Sequence, residues 1–275
     1  EAVTAYVNRG YVENDLHQSK AAAADFEEAL KREPANGEAH LGLAYSSLDL
    51  DKPQSAIREA DLAERATGDS REVHTIRATA YAREGMFRRA VTEFRAALKF
   101  RPNDPALHLG LANVLFSELK YRDAIDELTI AEKSTPLDPE IDALMARCYA
   151  DLDEREQALQ AVDRAERHAA SRPALEQSQI FVSTGEALNT LGDEEGAMDR
   201  FRRALEVPGG DRISVRLAIA QLMAQQGEDE DAERQIALGW MEADAGDAPA
   251  PTGSQFIAAA DIFRTTHAYM LSQTY

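Results

Sequence analysis

The chain has 275 residues, 44% of them hydrophobic and 29% charged, which excludes a disordered or linker-rich protein and leaves enough apolar side chains for a folded array. Its formal net charge of −19 is uneven: residues 1–100 hold 17 acidic and 14 basic side chains, and residues 101–275 hold 32 and 16. A field of that sign repels phosphate backbones and anionic lipid, which argues against nucleic acid or membrane as partner and favours a basic protein segment. No apolar run has the length of a membrane span, and the single cysteine, Cys148, excludes an internal disulfide.

From the start of the chain the dominant signal is an internal repeat. The string His40-Leu41-Gly42-Leu43-Ala44 returns as His108-Leu109-Gly110-Leu111-Ala112, and the offset is two periods of 34 residues. Small residues hold that period along three combs: Ala22, Ala56, Ala90, Ala124 and Ala158; Ala29, Ala63, Ala97, Ala131 and Ala165; Gly10, Ala44, Ala78, Ala112 and Ala146. Larger residues keep it too, at Phe26, Phe94, Leu128 and Val162, with Ala60 undersized in the series. Pro34, Pro102 and Pro136 mark ends of units, and Gly68 fills the same slot.

Within a unit the pattern predicts two helices and a short turn. Val73, Ile76, Ala80 and Tyr81 have helical spacing, Gly85 interrupts them, and Phe87 to Leu98 carry a second amphipathic stripe that Pro102 ends. Pro53 falls where a second helix starts. No stretch alternates with period two, so no sheet is expected. The small residues belong on a seam where helix axes approach closely, with the large ones filling the space beside it. No unit can bury its apolar stripe alone, so the units must stack.

The units fall at about 3–36, 37–70, 71–104, 105–138, 139–172, 178–211 and 213–246, with a partial eighth at 252–275. Insertions lie near 173–177 and 244–251. The chain opens at Glu1 with a helical pattern under way and stops at Tyr275 inside a unit, so both ends read as cuts within a longer protein, through which two copies could self-associate.

A 34-residue helix–turn–helix with Arg77-Ala78-x-x-Tyr81, Gly85, Ala90, Phe94, Ala97 and Pro102 in these places resembles the tetratricopeptide repeat. The family's tryptophan is absent from every unit, and Tyr6, His40, His74 and His108 stand in its place. In the eighth unit Leu271 occupies a small-residue position. The resemblance implies an all-α, right-handed superhelical solenoid over 1–275, with seven full repeats and a truncated eighth.

It also implies a concave face lined by the first helices. Two ladders map onto that face: Val7, Leu41, Thr75, Leu109, Ala143, Val182, Leu217 and Phe256, then Tyr11, Tyr45, Thr79, Asn113, Arg147, Glu186 and Gln221, extended by Leu48 and Phe116. The partner-binding residues expected there are Tyr11, Leu41, Tyr45, Thr79, Asn113, Phe116 and Arg147. Asn113 matches one asparagine of the clamp by which some members grip chaperone tails. Its companions Leu109, Leu144, Gln179 and Ser183 include no cation, so that clamp is not expected.

Other chemistry-bearing residues have structural readings. Metal ligation would bring histidines to about 2 Å from one ion, whereas equal places in stacked units lie about 8–10 Å apart. His40, His74 and His108 are therefore expected to fill an aromatic slot, and His17, His168 and His267 to face solvent. Cys148 is expected to be a buried, inert thiol. The acidic runs Glu228–Asp231 and Asp193–Glu195 are expected to open helices, where the helix dipole favours them.

No phosphate loop and no nucleophile–base pair stands out, so no catalytic, cofactor or metal site is expected and the chain is not expected to be an enzyme. The resemblance implies a scaffold or adaptor that holds a protein or peptide in the concave face. Similar bacterial arrays leave two alternatives, a periplasmic helper of exopolysaccharide assembly or export, and the substrate-recognition arm of an enzyme such as a glycosyltransferase. Alanine- and arginine-rich composition points to bacteria, in either cytoplasm or periplasm.

Overall fold

The computed structural model describes residues 2–244, 252 and 255–264, and among them every regular element is a helix and no strand occurs. The partial unit's Leu271, His267 and most of the insertion at 244–251 lie outside the described residues. The helices form two compact units, Glu1–Pro136 and Leu137–Tyr275.

The first unit holds α1 (Ala2–Asp15), α2 (Ser19–Arg32), α3 (Gly37–Asp49), α4 (Pro53–Thr67), α5 (Arg71–Arg83), α6 (Phe87–Phe100), α7 (Pro105–Ser117) and α8 (Tyr121–Ser134). The second holds α9 (Pro139–Asp151), α10 (Arg155–Ala169), α11 (Ala174–Thr190), α12 (Glu194–Glu206), α13 (Arg212–Gln225), α14 (Asp229–Asp244) and α15 (255–264). Within each unit a helix packs on its neighbours in sequence. Odd-numbered helices also touch one another, as α1 does α3 and α9 does α11, whereas among the described residues even-numbered ones do not. That asymmetry gathers the odd helices into an inner layer and splays the even ones outside it.

Local chemistry sets the boundaries. Asn36, Ser70, Asp104 and Asp138 cap α3, α5, α7 and α9 by accepting the amides of Ala39, Val73, Ala106 and Glu140. Proline takes the first helical turn of α4, α7 and α9, where its missing N–H costs nothing. Asp193 caps α12, and Asp229, Glu230 and Asp231 fill the first turn of α14.

Each first helix ends on a left-handed residue: His17, Asp51, Gly85, Leu119, Asp153, Gly192 and Gly227 have φ between 54° and 78°. At every one, two amides fold back on the helix, as where Leu119 N–H donates to Phe116 O at 2.9 Å and Lys120 N–H to Leu115 O at 2.9 Å. The even helices of the first unit start from this turn without a side-chain cap, whereas in the same kind of turn Asp193 caps α12.

The small-residue combs are buried throughout. The glycine of the repeated string has a steric cause. A Cβ on Gly42 would lie 2.2 Å from the Phe26 ring, one on Gly10 2.8 Å from the same ring, and one on Gly110 2.7 Å from Phe94. A phenylalanine on an outer helix thus pushes its ring against the bare backbone of an inner helix. Where the outer residue shrinks to Ala60, the glycine position becomes Ile76, and both lie in one fully buried cluster. Volume is exchanged across the seam and held constant.

Candidate protein-binding face

Three histidines recur at the joints of the first unit, and the structure gives them more than a space-filling role. His40 Nδ1 lies 2.7 Å from Glu59 and its Nε2 2.9 Å from the Pro34 carbonyl. His108 repeats this with Glu127 at 2.6 Å and the Pro102 carbonyl at 2.9 Å. His74 uses Glu93 at 2.6 Å and Asp69 at 2.7 Å. Each ring ties its own helix to the next helix and to the preceding loop, so both ring nitrogens are occupied and neither is left to ligate a metal. The glutamates Glu59, Glu93 and Glu127 follow their histidines by 19 residues, a signal present in the sequence and not read there.

His168, expected to face solvent, is instead half-buried and lies 2.8 Å from Asp142, which also takes Arg164 at 2.6 Å. The reason is the depth of Asp142, whose side chain is 3% exposed and needs partners for its charge. His17 is exposed. Burial pushes the Cys148 thiol up to about 12, which keeps it protonated and unreactive at neutral pH. Among the described residues no group of three or more His, Cys, Asp or Glu could hold a metal.

The residues expected on the inner face divide by what they touch. Tyr11 sets its edge against Phe26, with centroids 5.2 Å apart, and its hydroxyl donates to Glu38 O at 2.9 Å. Burial raises its phenol to about 12. Leu41 and Tyr45 are half-buried and pack on the cluster around Ile76. Phe116 turns toward Tyr121 at the helix turn, with centroids 5.4 Å apart. Thr79 donates to Thr75 O at 2.9 Å, and exposed Asn113 donates to Leu109 O at 3.1 Å.

Thr79 and Asn113 are brought together. They form the rim of a cavity of about 370 Å³ between α5 and α7, whose floor is made by Phe87, Phe94 and Val114 and whose mouth also carries Arg83 and Ser117. Tyr11, Leu41, Tyr45 and Phe116 stand outside that lining. In this setting the glycine at 110 and the ring of Phe94 meet at the cavity floor.

Arg147 belongs to the second unit, where it pairs with Glu186 at 3.2 Å. Glu186, Val182, Leu217 and Gln221, ladder positions of the sequence, line a cavity of about 270 Å³ closed on one side by Gln255 and Ile262. Burial raises the Glu186 carboxyl and Arg147 opposes the rise, although the side chain is 41% exposed. A carboxylate at the base of a groove is wet on one side and hemmed by protein on the others, which reconciles the two.

With this geometry the comparisons agree. Residues 15–80 and 81–148 match the family described as tetratricopeptide repeat. The fold of a tetratricopeptide repeat protein from Parabacteroides merdae superposes with a TM-score of 0.73 at 12% identity, covering 97% of this chain and 99% of that one. PilW, a widely conserved type IV pilus biogenesis factor, gives 0.63 at 16% identity over 75% of this chain and 93% of its own. PilF of Pseudomonas aeruginosa gives 0.59 at 16% over 75% and 91%. No curated protein matches the sequence significantly.

This chain is a tetratricopeptide repeat protein. The class is a protein-interaction scaffold, it binds proteins or peptides, and its fold is typically non-catalytic. Among the described residues no helix is long and apolar enough to cross a membrane.

Proposed function

We propose that the inner face of the first unit holds an extended segment of a partner protein, seated at the cavity between α5 and α7. The observation that carries this reading is the combination of an apolar floor with a rim of Thr79, Asn113 and Ser117. Such a site buries one large side chain while the hydroxyls and the amide meet the partner's backbone. Tyr11, Leu41 and Tyr45 extend the face along the preceding repeats. In the second unit Glu186, paired with Arg147, lines a further cavity whose walls also carry Val182, Leu217 and Gln221.

A photo-crosslinking residue at Asn113 tests the reading against one at Arg95, exposed on outer helix α6. Crosslinked partners from position 113 and not from 95, in cells of the source organism, are the expected outcome. Crosslinks confined to position 95 would place the site on the outer layer and end the proposal. The narrower role of an assembly or export helper draws support from the shared fold of a pilus biogenesis factor. The same crosslinked partners would identify it.

A further inference from the structure

The charge of the chain as a whole points to basic partners, but the mouth of the first unit's cavity has the opposite sign. Arg83 stands on its rim. On the far side of Phe87 a second cavity of about 370 Å³ opens between the α5–α6 turn and Glu118, and Arg88 and Arg89 line it. The two cavities share the half-buried Phe87, with Arg83 lining one and Arg88 and Arg89 the other.

The nearby carboxylates have partners other than Arg88 and Arg89. Glu118 is taken by Lys120 at 2.7 Å, and Glu93 by His74 at 2.6 Å. Asp51 stands 3.9 Å from Arg83, whose guanidinium also donates to the Leu48 carbonyl. Arg88 and Arg89 are exposed, and neither makes an ion pair among the described residues. Arg89 lies over the Tyr81 ring, 5.5 Å from its centroid. Arg88 and Arg89 therefore present two adjacent guanidinium groups to one cavity.

We propose that the segment seated in the first unit carries a large apolar side chain with an aspartate or glutamate within about two residues of it. The apolar group fills the cavity over Phe87 and Phe94, and the carboxylate crosses the α5–α6 turn to Arg88 and Arg89. An adjacent residue of an extended chain lies about 3.3 Å further along, so a carboxylate one or two residues from the anchor spans the width of one aromatic ring. Guanidinium is suited to the role because its planar fork binds a carboxylate through two N–H donors. This proposal rests on the groove reading and specifies the chemistry of its occupant.

The test is selection of a phage-displayed random decapeptide library, fused through its C-terminus so that no free terminal carboxylate is offered. The whole chain serves as bait, beside Thr79→Trp, which fills the cavity from its rim, and Arg88→Glu/Arg89→Glu, which reverses the mouth. Circular dichroism confirms that each variant retains its helices.

The expected pool pairs Leu, Phe or Met with a neighbouring Asp or Glu. Synthetic peptides from it should bind at least tenfold more weakly to either variant, and Lys-for-Asp peptides should prefer the reversed mouth. Peptides that depend on Thr79 but bind alike with Asp or Lys beside the anchor would overturn the acidic requirement and leave the groove reading standing. A pool unaffected by Thr79→Trp would overturn both.

Discussion

At the scale of single residues, the repeated glycine shows how a sequence of common residues fixes a close approach. Glycine inside a helix costs about 1 kcal/mol relative to alanine, so its use at 42 and 110 needs a compensating contact. The contact is a phenylalanine ring, and Phe26 is held from both sides by Gly10 and Gly42 with no exposed surface. Gly42→Ala is therefore expected to lose more from the clash than it gains in helix propensity, destabilising the protein by about 1–2 kcal/mol. Gly239 in α14 provides the contrast, because a Cβ there would meet its nearest neighbour, Arg216, at 3.6 Å, an ordinary contact. Gly239→Ala should stabilise by about 0.5–1 kcal/mol. Urea denaturation of both variants checks the pair. Stabilisation by both would mean that the ring of Phe26 is free to yield, and destabilisation by both that Gly239 has a packing role its neighbours do not show.

At the scale of helices and turns, the array repeats one device, an inner helix closed by a left-handed residue. Glycine serves in three of these turns and Asp51 and Asp153 in two, but Leu119 has φ 59° and is 72% exposed. An L-residue in that region costs about 1–2 kcal/mol, and the extra freedom of glycine in the unfolded chain returns about half of this. Leu119→Gly should thus stabilise by about 0.5–1 kcal/mol, read as a higher midpoint at unchanged urea dependence; a lower midpoint would show that Leu119 contributes packing that outweighs the strain. The helices themselves were legible from sequence because the 34-residue period marks buried positions many times over. Leu119 was not, since nothing in its side chain announces a left-handed backbone. Nor were the partners of His40, His74 and His108, because Glu59, Glu93 and Glu127 are three carboxylates among many and the histidines already had an adequate reading as ring-shaped fillers. For the candidate site, the sequence placed Thr79 and Asn113 at corresponding positions of successive inner helices. That they share a cavity depends on where Phe87 and Phe94 put their rings, which no periodicity encodes.

At the scale of the molecule, the excess of acid sets two opposed pH dependences. Burial raises the carboxyls of Glu140 and Glu186 in the folded state, so each contributes stability when protonated and loses it as pH rises through its folded value. Glu242 is the reverse. Hydrogen bonds from Arg216 and then Arg212, with nitrogens at 2.6 Å and 2.9 Å, hold its carboxyl down at about 2. Its contribution is complete above the ordinary carboxyl value of 4.5 and disappears as pH falls from there toward 2. Arg77 likewise lowers Glu64, which reinforces the loss on the acid side. Reducing the net charge of −19 by protonating exposed carboxylates relieves self-repulsion over the same range in which Glu186 gains. Stability is therefore expected to rise as pH falls from neutral through the raised values of Glu140 and Glu186, and to fall again below the ordinary carboxyl value of 4.5 as Glu242 is protonated. Glu186→Gln should flatten the rise. Glu242→Gln should cost about 1–2 kcal/mol at pH 7, given a side chain only 20% exposed, and should flatten the acid-side fall. Thermal unfolding from pH 3 to pH 8 on the three proteins checks this, and a wild-type optimum at pH 7 or above would mean that ion pairs outweigh both burial of the groove carboxylates and the repulsion of the whole chain.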